Sequence, residues 1–145
     1  MAAKIVGVTS GCFDMFHQGH LVYLQRCRSF CDQLVVAVDS DELVKAVKGD
    51  KRPLIPEEER LDIISNVSVV QSAVILRKVE DLNEVVLQFK AKRFFKSATF
   101  LEKKFRREMV YGLQDTGAEL ITIPDITGVT STTKLIARIC ERYKS

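Results

Sequence analysis

Short runs of β-branched and aromatic residues recur along this chain, each separated from the next by a stretch of helical periodicity. The runs at residues 4–9 (KIVGVT), 33–39 (QLVVAVD), 73–76 (AVIL), 93–96 (RFFK) and 119–123 (ELITI) read as strands. They are mostly apolar, as strands buried on both faces are. A helical segment between consecutive strands implies parallel pairing through right-handed crossovers. The expected fold is α/β, a three-layer α/β/α sandwich around a mostly parallel five-stranded sheet.

Helices are expected where apolar residues return every three or four positions. Leu21, Leu24 and Cys27, with Phe30 and Cys31 one turn on, mark one over residues 20–30. Pro56 suits a first helical turn, and Glu57, Glu58 and Glu59 suit the positive end of the helix dipole, so a second runs to about Asn66. Others are expected at 82–90, at 101–115 with Gly117 as a stop, and at 132–143.

No linker, repeat or low-complexity run interrupts this pattern, so residues 1–145 are read as one domain. A domain of this length buries roughly 70% of its unfolded surface. A net charge of +3 is far from the basicity that forces a nucleic-acid reading, so no nucleic-acid partner is expected. The apolar run near the N-terminus stops at Ser10 and Gly11, too short for a signal core or a membrane span. A cytoplasmic protein with no membrane partner is expected. Cys12, Cys27, Cys31 and Cys140 form no CxxC pair and have no histidine at zinc spacing. They are read as reduced thiols, mostly buried, with no protein-bound metal.

The chemistry concentrates in residues 11–24, GCFDMFHQGHLVYL, between the first strand and the first helix. In open parallel sheets ligands bind at the carboxyl ends of strands, where a helix start offers free N–H groups to phosphate. Gly11 and Gly19 allow close approach of backbone to a triphosphate. His17 and His20 are three apart, and on a helical turn both imidazoles reach one phosphate. Displacement at an α-phosphorus builds negative charge that such donors stabilise. A lone histidine here would more simply be a helix-start residue satisfied by backbone. These are the chain's only two, and both fall in one four-residue motif. Asp14 is either an Asx-turn residue or a group orienting a phosphate-bound cation or the acceptor.

GCFDMFHQGH resembles the GxFDxxHxGH signature of the cytidylyltransferase-like nucleotidyltransferases, a superfamily related in fold to the class I aminoacyl-tRNA synthetases. The resemblance continues through VVAVDSDELVKAVKGDKRPLIPEEER and returns at GVTSTTKLI, with a divergent segment from about Ala98 to Gly117. Its pattern is closer to the heptose-1-phosphate adenylyltransferase domain than to glycerol-3-phosphate cytidylyltransferase. It implies a Rossmann-like fold, Mg2+ with ATP (or CTP) as substrate, a small phosphorylated acceptor, pyrophosphate release and a homodimer. It further implies catalytic roles for His17, His20 and Lys48. Gly11, Cys12, Phe13, Asp14, Gly19, Lys96, Thr130, Ser131, Thr132 and Thr133 would bind nucleotide, and Asp41, Arg52 and Arg60 acceptor or phosphate. Some of these have a plainer alternative: a solvated loop for the 45–52 cations, an ion pair to Glu57 or Glu59 for Arg60, an N-cap for one hydroxyl of the TSTT run.

The chain also departs from that family. Where the fourth strand is usually followed by GGD or GDD and an aromatic, it has Lys96, Ser97, Ala98, Thr99 and Phe100. The STT loop carries one extra residue, and Pro124–Thr127 lacks the arginine of the glycerol-phosphate enzymes. The latter departure favours ATP. Residues 102–107 (EKKFRR) read as a solvated helix face, with help in anchoring an anionic acceptor as the alternative. The leading expectation is adenylyl transfer to a sugar 1-phosphate by in-line attack. Cytidylyl transfer to a polyol phosphate and a non-catalytic nucleotide-binding module are the alternatives.

Overall fold

The computed structural model describes residues 3–102 and 112–144. Its strands are β1 (Val6–Gly11), β2 (Gln33–Asp39), β3 (Ser72–Leu76), β4 (Arg93–Ser97) and β5 (Glu119–Ile123). They form one sheet in the order β3-β2-β1-β4-β5, and every pairing is parallel. This is the expected Rossmann-like α/β fold, with a sheet parallel throughout rather than mostly. The chain runs outward from β1 to β3, then returns to lay β4 against the other side of β1. The carboxyl end of β1 is thus the switch point at which such sheets open a crevice.

The helices are α1 (Gln18–Arg28), α2 (Asp41–Lys48), α3 (Glu57–Ser65), α4 (Leu82–Gln88), α5 (Ala98–Glu102) and α6 (Thr132–Arg142). Period-two alternation along β2 sorts the core into two layers. Leu34, Val36 and Val38 pack with Leu24 and Cys27 of α1 and Ile64 of α3. Val35 and Ala37 face the other way, onto Leu82, Val85 and Val86 of α4, with Leu43 of α2 at the edge. Gly7 of β1 is needed beside Phe95 of β4, since a Cβ there would collide with the Phe95 ring.

Several expectations shift. Pro56 is the N-cap of α3 rather than its first residue. Helix α2 was not expected at all, although Ser40 caps it by accepting from the Leu43 amide at 3.2 Å and Asp41 and Glu42 fill its first turn. Helix α5 begins at Ala98, inside the divergent turn. Most of the helix expected over 101–115, and most of the 102–107 basic cluster, lie outside the described residues. Gly117 adopts φ +78 after the 3-10 turn Gln114–Thr116, as a stop requires. Cys12, Cys27 and Cys31 are buried thiols, whereas Cys140 is exposed on α6. Among the described residues no helix is long and apolar enough to cross a membrane.

Candidate active site

The loop from β1 into α1 is bent into a conformation that L-residues resist, with Phe13 and Met15 both at φ +53. Each such residue costs about 1–2 kcal/mol, so the surroundings must hold it. Asp14, between them, does this. Its Oδ2 accepts from Arg52 Nε at 2.9 Å and the Leu54 amide at 2.8 Å, and its Oδ1 from the Ile55 amide at 2.9 Å. Its side chain is 0% exposed. Burial alone raises its carboxyl pKa, but the two amides and Arg52 outweigh that and hold it below the usual 3.8. The carboxylate that the sequence offers to a cation or an acceptor is thus taken up in tying the 52–55 loop to the histidine loop.

His17 and His20 open α1 as a reciprocal cap. His17 Nδ1 accepts from the Gly19 amide at 3.0 Å, and His20 Nδ1 from the His17 amide at 3.3 Å. The rings stack with centroids 3.8 Å apart, and Phe13 and Phe16 flank His20 at 5.5 and 5.7 Å. Burial lowers the pKa of His17. Burial, with the charges of His17 and Lys48, lowers that of His20 to about 3. Both rings are therefore neutral at pH 7. A neutral ring that accepts at Nδ1 carries its proton on Nε2. For His17 that N–H meets Thr132 Oγ1 at 3.2 Å, whose own hydrogen goes to the Asp14 carbonyl at 2.9 Å. His20 lines the neighbouring cavity, and its Nε2–H is not taken by the His17 amide that holds Nδ1.

Gly19 is required here by crowding. A Cβ would stand 2.9 Å from both the His17 ring and the Thr130 carbonyl oxygen. Gly19→Ala is expected to displace the histidine pair and lower turnover by about tenfold to a hundredfold, with a smaller effect on the melting temperature. Turnover equal to the parent's would show that the close approach is immaterial.

The low pKa of His20 also sets an acid response. In the unfolded chain an ordinary imidazole takes up its proton as pH falls through 6.5, whereas in the fold His20 does so only near 3. The stability this confers on the native state is therefore present above 6.5 and lost as pH falls from 6.5 towards 3. The depressed carboxyl of Asp14 adds a second loss below 3.8, as pH falls through its folded value. The melting temperature is expected to drop more steeply between pH 6.5 and 4 for the parent than for His20→Gln. Parallel curves would mean that His20 is not held neutral.

Arg60 is 1% exposed, and its guanidinium gathers four segments. Nε donates to the Ile55 carbonyl at 2.8 Å, one terminal nitrogen to the Cys12 and Asp39 carbonyls at 2.7 Å each, and the other to Asp41 Oδ1 at 2.8 Å. Its ionic partner is thus Asp41, and Glu57 pairs instead with Arg77 at 2.7 Å. Arg60 and Asp41 fix the ends of β1 and β2 relative to α2 and α3. Arg52, beyond its bond to Asp14, has a buried Nη2 with no hydrogen-bond partner among the described residues. In the TSTT run Ser131 is the N-cap of α6, accepting from the Lys134 amide at 3.2 Å, Thr132 buttresses His17, and Thr133 is exposed.

The cavity at the carboxyl ends of β1, β2 and β4 has a volume of about 340 Å3. Among the expected site residues Gly11, Cys12, Phe13, His20, Lys48 and Lys96 line it. Lys96 is 4% exposed, donates from Nζ to the Ser10 carbonyl at 2.8 Å and lies 4.0 Å from the Phe100 ring centre. The divergent turn after β4 is ordered by its own bonds: Ser97 Oγ accepts from the Phe100 amide at 3.3 Å, and the Thr99 amide donates to Asp125 Oδ1 at 3.2 Å. Sequence reasoning missed Leu43, Val44 and Val47 of the cavity wall because it missed α2; the Ser40–Glu42 cap was the available signal.

A parallel sheet with this strand order, two neutral histidines opening a helix at the switch point and a cavity beside them define a nucleotide-handling α/β protein. The chain belongs to the cytidylyltransferase-like family of nucleotidyltransferases, whose family model matches residues 8–138. The bifunctional protein HldE of Desulfatibacillum aliphaticivorans is 36% identical over 132 residues, covering 89% of this chain and 26% of that protein. HldE of Pelobacter propionicus is 36% identical over 141 residues, covering 97% and 28%. The chain thus spans about a quarter of the length of these curated relatives. Among solved structures, a lipopolysaccharide core biosynthesis protein of Thermoplasma volcanium superposes with a TM-score of 0.67 at 25% identity, covering 86% of this chain and 98% of that one. Pantothenate synthetase of Thermus thermophilus, at 15% identity and a TM-score of 0.58 over 97% of this chain and 67% of that one, shares the fold.

Proposed function

We propose that this chain transfers the adenylyl group of ATP to the phosphate of a sugar 1-phosphate, with a heptose 1-phosphate as the reference acceptor, and releases pyrophosphate. The observation that carries the proposal is the neutral His20, held through Nδ1 at a helix start at the end of β1 and lining the cavity there. Attack of the acceptor phosphate on the α-phosphorus needs no general base, because that phosphate is already ionised at neutral pH. Catalysis then reduces to alignment and to stabilising charge on the reacting phosphoryl oxygens. His20 supplies a fixed donor and Lys48 a mobile positive charge.

Among the described residues no cluster of three His, Cys, Asp or Glu side chains is placed to hold a metal. In this proposal Mg2+ enters as MgATP, held by phosphate oxygens and water. ATP is favoured over CTP by the pattern shared with the HldE relatives and by the absence of an arginine in Pro124–Thr127. The homodimer and the cytoplasmic setting belong to the same proposal. Pyrophosphate release is to be followed with ATP, CTP, GTP and UTP against a panel of sugar 1-phosphates and polyol phosphates. ATP with a sugar 1-phosphate is expected to be fastest. CTP with glycerol 3-phosphate as the best pair would replace this reading, and tight nucleotide binding without turnover would make the chain a sensor.

A further inference from the structure

The cavity beside His20 is lined largely by side chains with no hydrogen-bonding capacity: Leu43, Val44 and Val47 of α2, Leu76 at the end of β3 and Val79 just beyond it, with Phe100 of α5 contributed from the β4 side. Several polar groups that line it are engaged within the protein. Tyr23 shares its hydroxyl with Thr9 and the Phe95 carbonyl, Lys96 donates to the Ser10 carbonyl, and Ser97 Oγ accepts from the Phe100 amide. Lys48 and His20 add a positive charge and a donor to the lining, and Asp39 at the end of β2 adds a carboxylate. We infer that this cavity takes an acceptor with a phosphate at one end and a deoxygenated or alkyl flank facing α2 and β3. This rests on the function proposed above, and it narrows the acceptor to sugar phosphates with fewer hydroxyls on one side.

The placement of the acceptor follows from in-line geometry. Attacking and leaving oxygens lie on opposite sides of the α-phosphorus. The start of α6 meets the histidine pair on the His17 side, through Thr132, and the N–H groups of a helix start suit the departing pyrophosphate. The attacking phosphate then approaches from the other side, where His20 lines the cavity. A hydroxyl carried into the apolar lining loses water and gains no partner, whereas a methyl or methylene gains contact.

The test uses the full chain and matched pairs of sugar 1-phosphates in which a single hydroxyl is replaced by hydrogen, such as glucose 1-phosphate and its 6-deoxy analogue, together with a heptose 1-phosphate. Two readouts are taken: kcat/KM for pyrophosphate release with MgATP, and Kd by calorimetry with a non-hydrolysable ATP analogue present. At least one deoxy member is expected to be preferred to its hydroxylated partner and to the heptose by more than about threefold in Kd. Val47→Thr and Val79→Thr, which keep side-chain shape and add a hydroxyl, are expected to shrink that preference. A Kd ratio of about threefold or less for every pair, tighter binding of the hydroxylated members, an unchanged ratio in both variants, or no binding of any acceptor would overturn the inference. The two ideas fail separately. Turnover of heptose 1-phosphate above all deoxy acceptors sinks this inference and leaves adenylyl transfer standing, whereas selective binding without turnover sinks the transfer.

Discussion

Replacing His20 by alanine is expected to lower kcat by about a hundredfold to a thousandfold, the usual cost of losing one preorganised donor to a charged transition state. His20 is bound on three sides by Phe13, Phe16 and His17, and its Nδ1 is fixed by the His17 amide. The Nε2–H therefore needs no reorganisation when charge develops beside it. Because the ring is neutral, with a pKa of about 3, its contribution is expected not to change between pH 6 and 8. His20→Gln, which keeps an N–H at a similar reach, is expected to recover part of the rate. The check is steady-state kinetics on both variants alongside their circular dichroism. A native-like His20→Ala protein with the parent's kcat would remove His20 from the chemistry.

Replacing Arg60 by methionine is expected to destabilise the fold by about 3–5 kcal/mol, because each acceptor left without its donor away from water costs about 1–3 kcal/mol, while Asp41, with its side chain 33% exposed, adds less. Methionine fills a similar volume but leaves the Ile55, Cys12 and Asp39 carbonyls and the Asp41 carboxylate without their donor. A domain is stable by only about 5–15 kcal/mol, so the variant stands near the edge of folding. Arg60→Lys keeps the charge without the planar fork and is expected to fall between. Denaturant titration reads this as a lower midpoint at an unchanged slope. A loss below about 1 kcal/mol would show that the four contacts are replaceable by water.

The sheet was legible in the sequence because β2 and β5 advertise themselves as uninterrupted apolar or β-branched runs, and their bounds in the structure match. Strand β1 begins at Val6 and reaches Gly11, two residues beyond the expected end, because the sheet register with β2 continues to Val38. Helix α2 was obscured because its eight residues follow a strand directly and end in the lysine-rich KGDKRP run, which reads as loop. The HxGH histidines were legible as a pair, since no other histidine competes with them. What no linear pattern carries is the division of labour around them. Asp14 and Thr132 look like ligand-binding groups in the sequence and turn out to bond to protein partners 38 and 118 residues away. Arg60 reads in the sequence as an arginine for acceptor or phosphate, with an ion pair to Glu57 or Glu59 as the alternative, whereas in the fold it is 1% exposed and bonds to Cys12, Asp39, Asp41 and Ile55. The apolar cavity lining likewise draws on α2, β3 and α5, and no single segment announces it.

The most direct measurement is a nitrogen-15 NMR titration of the two histidine rings at pH 7, before and after addition of a non-hydrolysable MgATP analogue. His20 is expected to show a neutral ring protonated on Nε2 in the free protein, and its Nε2–H resonance to move downfield on nucleotide binding as it meets an α-phosphate oxygen. Nucleotide binding that leaves the His20 resonances where they were, or a free ring protonated on Nδ1, would contradict the placement of His20 at the reacting phosphorus.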